Sequence, residues 1–167
     1  MILSAQSIRR RKSLITPFFE RTVAHGMTYG LSSAGYDIRV AESIMLFPGE
    51  FFLGSSIERF SMHDDLLGEV ADKSTWARKG LFVQNTRIEP GWCGYLTLEL
   101  TNNSSDHIRL ISGMPIAQIV FQLLDEPTEA PYKGKYQNQR ARAVRAIEEI
   151  SHESGLEAVQ QNGEGKT

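Results

Sequence analysis

A carboxylate in an alternating segment, Glu99, carries the most chemical information in the chain. In residues 87–100 (RIEPGWCGYLTLEL), a Pro-Gly turn precedes a run in which leucines alternate with Tyr95, Thr97 and Glu99. Strand side chains alternate between two faces, so the leucines point one way and Glu99 points the other. Burying a carboxylate among apolar neighbours is costly unless it is paired or used. The pattern leaves two interpretations open, a solvated outer face or a general acid/base.

A second group of chemically useful side chains lies in residues 71–80 (ADKSTWARKG). Cations and hydroxyls fall close together between a predicted strand and a glycine, among them Lys73, Ser74, Thr75 and Arg78. Such a cluster can hold an anion, with Arg as a bidentate donor and Lys as a point charge. The Walker pattern GxxxxGK[ST] is absent, which excludes a P-loop. A plain polar surface turn is the alternative interpretation.

Two weaker segments lie on either side of these. In residues 33–39 (SAGYDIR), Asp37 is placed at a strand start, where it can reach a metal-bound water or serve as a cap or ion-pair partner. Residues 132–139 (YKGKYQNQ) combine two Tyr, two Lys and three amide side chains around a glycine. This segment can close over a ligand or act as a linker, and its composition does not decide between the two.

The histidines and the cysteine do not indicate a metal site. His25, His63, His107 and His152 are scattered, and none has ligand spacing with another histidine or with Cys93. One cysteine excludes an internal disulfide framework and any zinc site built on two cysteines of one chain. We therefore expect no zinc.

Composition indicates a cytoplasmic protein. The 167 residues are 41% hydrophobic and 23% charged, with a net charge of −2. This charge favours neither nucleic acid nor an anionic membrane, and no apolar run approaches the length of a membrane span. The basic run at residues 9–12 is expected in the last turn of a helix that begins after Ser4.

The middle of the chain has the texture of an all-β domain. Short segments separated by turn signals predict strands at 38–40, 43–47, 51–60, 66–71, 81–84, 95–101, 107–111 and 116–123. This spacing predicts a sandwich or a barrel. Residues 140–150 are predicted to form a short helix. We expect a single catalytic domain over residues 1–150 and a frayed polar tail over 151–167.

In order along the chain, these segments resemble the dCTP deaminase branch of the dUTPase superfamily. SAGYDIR is similar to the first superfamily motif, ADKSTWARKG to the phosphate-binding motif and RIEPGWCGYLTLEL to the nucleoside-binding hairpin. GMPIAQIVF at 113–121 is similar to the following strand, and YKGKYQNQ to the deaminase-type C-terminal segment. The resemblance implies a mainly β, dUTPase-like distorted barrel or jelly roll with a few short helices. It also implies a homotrimer with active sites between subunits, Mg²⁺ bound through the triphosphate, and dTTP as an inhibitor.

By matching position, the resemblance assigns the general acid/base to Glu99. It assigns Ser74 and Arg78 to positioning the water and the pyrimidine. The implied phosphate contacts are Lys73, Ser74, Thr75, Lys135 and Gln139. The implied frame for sugar and base is Arg87, Glu89, Trp92, Tyr132 and Tyr136, with Asn85 and Thr97 in the same predicted substrate-binding set. In this scheme Glu99 moves protons, Ser74 holds water and Arg78 offsets developing charge, so no Cys/His-bound zinc is needed.

Departures from the family pattern keep other activities open. Lys73 stands where Arg is usual and Glu89 where Asp is usual, while the pair Gln84 and Asn85 is similar to members that also hydrolyse dUTP. The main prediction is deamination of dCTP to dUTP and ammonia. A bifunctional dCTP deaminase–dUTPase, a plain dUTPase and a non-catalytic nucleotide-sensing module are the alternatives.

Overall fold

A computed structural model of the chain describes residues 1–11 and 13–148, and strands predominate within them. The helices are α1 (Ala5–Arg10) and α2 (Ser74–Ala77). The strands are β1 (Ile15–Thr16), β2 (Thr22–Ala24), β3 (Met27–Leu31), β4 (Tyr36–Arg39), β5 (Ile44–Leu46), β6 (Phe51–Ser61), β7 (Leu66–Asp72), β8 (Leu81–Val83), β9 (Cys93–Asn102), β10 (Ile108–Leu110) and β11 (Pro115–Leu123).

The strands of the described residues pair in three antiparallel sheets. One sheet has the order β2-β3-β4-β11-β7, the second β1-β6-β9-β8, and the third pairs β10 with β5. Buried residues from the two larger sheets join in one core, including Tyr36 and Ile38 of β4, Leu98 of β9 and Phe121 of β11. The predicted mainly β architecture is confirmed.

Strand β9 follows the alternation read from its sequence. Leu96, Leu98 and Leu100 are buried, whereas Thr97 and Glu99 on the opposite face are half-buried. In the ladder, Leu53 of β6 stands opposite Glu99. The position of β9 between β6 and β8 fixes the direction in which Glu99 points.

All eight predicted strands occur, within about two residues at each end. Strands β1 to β3 and helix α2 were not predicted. The N-terminal helix occurs as α1, with the Ser4 carbonyl accepting its first hydrogen bonds, and Lys12 lies outside the described residues.

The predicted helix over 140–150 is wrong for residues 140–148, which have no helical turn. Contacts with the rest of the chain override the helix propensity of this Ala- and Arg-rich stretch. The backbone N–H groups of Val144 and Ile147 donate to the hydroxyls of Thr97 and Tyr136 rather than to carbonyls one turn earlier. Residues 149–150 and the predicted tail at 151–167 lie outside the described residues. No helix in the described part of the chain is long and apolar enough to cross a membrane.

Candidate active site

A cavity of about 1120 Å³, called the larger cavity below, opens on the polar face of β9. Nine of the predicted site residues line it: Asn85, Arg87, Glu89, Trp92, Thr97, Glu99, Tyr132, Tyr136 and Gln139. Apolar side chains supply much of the remaining wall: Phe51, Phe52, Leu53, Ile88 and Leu96. An apolar cavity with a few convergent polar groups is the usual form of a small-molecule site.

Glu99 is a half-buried carboxylate inside this cavity. Among the described residues, its carboxylate has no ion-pair or hydrogen-bond partner. Burial raises the pKa of the Glu99 carboxyl, because removal from water disfavours its charged form. A carboxyl group with a raised pKa that faces an open cavity is suited to accept and return protons.

The side chain of Asn85 holds the backbone on both sides of Leu98. Its Oδ1 accepts from the Glu99 N–H at 3.1 Å, and its Nδ2 donates to the Thr97 carbonyl at 2.6 Å. The carboxamide thus continues the β8–β9 ladder beyond the bond from the Gln84 N–H to the Glu99 carbonyl. Asn85 was predicted as a substrate contact, and the structure shows that it positions the strand that carries Glu99.

The segment at 132–139 is folded against the hairpin that precedes β9. Gln137 is central to this contact: its Oε1 accepts from the Cys93 N–H at 2.8 Å, and its Nε2 donates to the Gly91 carbonyl at 2.9 Å. The Trp92 indole donates to the Tyr136 carbonyl at 2.8 Å. This ordered contact excludes the alternative of an irregular linker.

Two glycines of the hairpin make this docking possible. Gly91 has φ +76°, and a Cβ there would lie 2.5 Å from Pro131 Cβ. Gly94 has φ +148°, and a Cβ there would lie 2.7 Å from the backbone nitrogen of Gln139. Only glycine permits both this backbone conformation and the close approach of residues 131–139.

A smaller cavity of about 540 Å³ contains the first motif and part of the cationic cluster. Lys73 and Asp37, both buried, form an ion pair of 2.6 Å, and Gln118 Nε2 donates to Asp37 at 3.0 Å. Ser74 also lines this cavity, and its side chain is exposed. The sequence left three roles open for Asp37: contact with a metal-bound water, a cap or an ion pair. Within a single chain, the structure shows the ion pair.

The structure of one chain does not bring the predicted catalytic residues together. Ser74 lies at the smaller cavity, whereas Arg78 and Thr75 are exposed and line neither cavity. Lys135 also lies outside both linings, with its Nζ 5.6 Å from the centre of the Tyr136 ring. Glu99 is therefore in one group, and Ser74 and Arg78 are in another.

Residues 33–124 match the family model described as dCTP deaminase-like. The chain belongs to this family. The match confirms the resemblance drawn from the motifs and includes Asp37, the 71–80 cluster and Glu99. The match ends before the segment at 132–139.

Relatives described as dCTP deaminases are similar over most of their length. A dCTP deaminase of Acidobacterium capsulatum is 37% identical over 162 residues, covering 77% of this chain and 88% of the relative. A dCTP deaminase of Campylobacter curvus is 34% identical over 167 residues, covering 80% and 90%.

Solved structures similar to this dCTP deaminase-like chain show the fold. Native EIAV dUTPase aligns with a TM-score of 0.55 at 20% identity, covering 73% of this chain and 97% of that one. A mutant dUTPase from phage phi11 of S. aureus, described with a structural Mg(II) ion, aligns with a TM-score of 0.54 at 19% identity, covering 73% and 94%.

The sequence analysis of this family member missed the residues that follow the 132–139 segment. Ala143, Val144, Arg145 and Ala146 line the larger cavity. Their pattern favours a helix, and no local signal in the sequence indicates that they reach the cavity. Within the described residues, no three His, Cys, Asp or Glu side chains are grouped so that they could hold a metal ion.

Proposed function

We propose that this protein deaminates dCTP hydrolytically to dUTP and ammonia without zinc, through one catalytic domain over residues 1–150. The observation that carries the proposal is the unpaired, half-buried Glu99 carboxylate with a raised pKa inside the larger cavity. Membership of the dCTP deaminase-like family supports the reaction. The single cysteine and the nucleotide substrate support a cytoplasmic location.

In the proposed reaction, water adds to C4 of the cytosine ring. Glu99 takes a proton from that water and gives it to ring nitrogen N3, which yields a neutral tetrahedral adduct. Glu99 then moves the remaining hydroxyl proton to the amino group. The C4–N bond breaks, ammonia leaves, and the base is uracil. One carboxylate thus serves as base and acid, and it ends the cycle in the state in which it began.

Ser74 and Arg78 would act in this reaction from a neighbouring copy of the chain. We propose that Ser74 holds the water and that Arg78 orients the groups and offsets charge in the adduct. Their separation from Glu99 within one chain supports a site shared between subunits of a homotrimer. Heterologous contacts that close around a three-fold axis place two different surfaces of identical chains together.

An exposed aromatic row beside the larger cavity is a suitable surface for the second copy. Phe51 of β6 and Phe82 of β8 both stand opposite Thr101 of β9, so all three side chains share the face of Glu99. Phe51 and Phe82 are 58% and 42% exposed. A second copy that covers these two rings would bury apolar surface at the edge of the cavity. The proposed reaction needs Ser74 and Arg78 of that copy at this edge.

The other predicted site residues take proposed roles in binding the nucleotide. Trp92, Tyr132 and Tyr136 would contact the base and sugar, with Arg87 and Glu89 at the rim. Lys73, Thr75, Lys135 and Gln139 would contact phosphates, and dTTP would bind the same site as an inhibitor. Lys73 can do so only by sharing its ammonium with Asp37, since the two are already paired.

Magnesium is proposed to arrive with the triphosphate and to contact Asp37 through water. The two Asp37 oxygens already accept from Lys73 and Gln118, which leaves room for a hydrogen-bonded water rather than direct ligation. Asp72 lines the same cavity and adds a second carboxylate. When bound, Mg²⁺ neutralises charge on the triphosphate.

A bifunctional enzyme that also hydrolyses dUTP to dUMP and pyrophosphate is the second candidate. The pair Gln84 and Asn85 favours it by resemblance, and the similar solved folds are dUTPases. A plain dUTPase and a nucleotide-sensing module without turnover remain less favoured, because neither needs the Glu99 arrangement.

One assay separates these functions. The full-length protein is incubated with Mg²⁺ and either dCTP or dUTP, and ammonia and pyrophosphate are measured. We expect ammonia from dCTP. Ammonia without pyrophosphate indicates a deaminase alone, and both products from dCTP indicate a bifunctional enzyme. Pyrophosphate from dUTP without ammonia from dCTP indicates a plain dUTPase, and no product from either nucleotide indicates a sensing module.

The raised pKa of Glu99 predicts a pH-dependent effect on stability. The neutral form favours folding, so its contribution is complete below the ordinary carboxyl pKa and is lost as pH rises through the raised folded pKa. Glu99→Gln cannot ionise. In calorimetry, this variant should unfold at the same temperature as wild type at about pH 4, and at a higher temperature than wild type at about pH 8. Glu69→Gln, outside both cavities, is the control, and equal differences at both pH values would contradict the prediction.

A further inference from the structure

The Thr97 hydroxyl accepts two hydrogen bonds, one from the last residue of the 132–139 segment and one from a residue beyond it. Its Oγ1 accepts from Gln139 Nε2 and from the Val144 N–H, the latter at 3.0 Å. A hydroxyl has two acceptor positions and one donor hydrogen, so both acceptor positions are occupied within the chain. A substrate could reach this hydroxyl only as an acceptor of its hydrogen.

Residues 139–147, called the strap below, form part of the wall of the larger cavity. Besides the bonds to Thr97, the Ile147 N–H donates to the Tyr136 hydroxyl at 2.9 Å. Residues 143–146, which include the Val144 attachment and precede the Ile147 attachment, line the cavity. Thr97 lies two residues before Glu99 on the same face of β9, so the attachment is close to the carboxylate.

We propose that Thr97 is a positioning residue that latches the strap over the cavity and thereby retains the bound nucleotide. In this role Thr97 acts through the strap, not on the reacting atoms. The kinetic consequence rests on the proposed deaminase function, whereas the position of the strap in the free protein does not.

The strap depends on such side-chain acceptors because its own backbone forms little regular structure. Residues 140–148 have no helical turn, and the strap is linked to strand structure by an isolated bridge between Gly94 and Gln139. An ordinary hydrogen bond changes an equilibrium by about two- to twelvefold. Removing both acceptor positions of Thr97 should therefore raise the open population of the strap by about tenfold.

Three arginines of the strap make opening measurable with trypsin: Arg140, Arg142 and Arg145. Full-length Thr97→Val, which keeps the shape but removes the hydroxyl, is digested without nucleotide, and the products are identified by mass. Cleavage after Arg145, which lies between the attachment points, should be about tenfold faster than in wild type, because proteolysis follows the open population. Thr97→Ser should restore protection.

Thr101→Val is the matched control, with the same substitution on the same face of β9. The Thr101 hydroxyl donates to Gln84 and lies outside the larger cavity. Its tryptic pattern should equal that of wild type. Equal cleavage rates in Thr97→Val and Thr101→Val would overturn the proposal.

Steady-state kinetics give the second readout. Thr97→Val should raise KM for dCTP about tenfold with kcat within about threefold of wild type, since the lost contact affects retention rather than chemistry. A loss of kcat with unchanged tryptic protection would show that Thr97 contacts the reacting atoms, and would overturn the latch.

A third variant covers failure of Thr97→Val to fold. Tyr136→Phe removes the other attachment and should also accelerate cleavage after Arg145; an unchanged rate would overturn the proposal. If wild type releases no ammonia from dCTP, the proposed function fails, while the tryptic comparison still decides whether the strap is latched.

Discussion

Glu99→Gln is expected to lower the rate of ammonia release from dCTP by about 10²–10⁴-fold, the usual contribution of a positioned proton carrier. The amide has the size of the carboxyl group but cannot take a proton from water. Because the side chain has no partner among the described residues, the substitution breaks no ion pair. The loss should therefore be confined to kcat.

Two measurements make this expectation decisive. The affinity for dCTP, determined by calorimetric titration, should stay within about threefold of wild type, because only a transition-state interaction is removed. Glu69 is an exposed carboxylate on β7, and the Glu69→Gln variant should retain full activity. Full ammonia release by Glu99→Gln would exclude Glu99 as the acid/base.

Mixing two inactive variants should restore activity if the site is shared between subunits. Glu99→Gln and Arg78→Ala are each expected to be inactive. After co-refolding in equal amounts, a site is complete when one chain supplies an intact Glu99 and its neighbour an intact Arg78. Random assembly of a ring gives this in about one quarter of the sites, so about a quarter of wild-type activity should return.

The control for mixing uses two substitutions in the same half of the site. Ser74→Ala and Arg78→Ala affect residues that one chain would deliver together, so no mixed site is complete and no activity should return. Native mass spectrometry checks that mixed assemblies form. Mixed assemblies of Glu99→Gln and Arg78→Ala without activity would show that the two groups do not form a shared site.

Local pattern was sufficient to predict the strands and the direction of Glu99. Eight strands follow from runs of apolar residues between turn signals, because alternation and turn chemistry are local properties. The burial of Leu98 and the exposure of Glu99 to the cavity follow from the same two-residue period. Family membership was also accessible, because it rests on ordered motifs.

Long-range contacts decided what local pattern could not. Asn85 is used by backbone groups twelve and fourteen residues away, and Lys73 is paired with Asp37 across 36 residues. Residues 140–148 have a helical composition, yet Thr97 and Tyr136 offer acceptors that hold them in a non-helical path along the cavity wall. Helix propensity contributes only tenths of a kcal/mol per residue to stability. A tertiary hydrogen bond contributes more.

The sequence by itself therefore determined a mainly β chain of the dCTP deaminase-like family with Glu99 on the polar face of β9. The tertiary structure decided that Glu99 shares a cavity with the 132–139 segment and the strap, and that Ser74 and Arg78 lie elsewhere on the same chain. The physical reason is that periodicity fixes the face on which a side chain lies, whereas its neighbours depend on how distant segments pack.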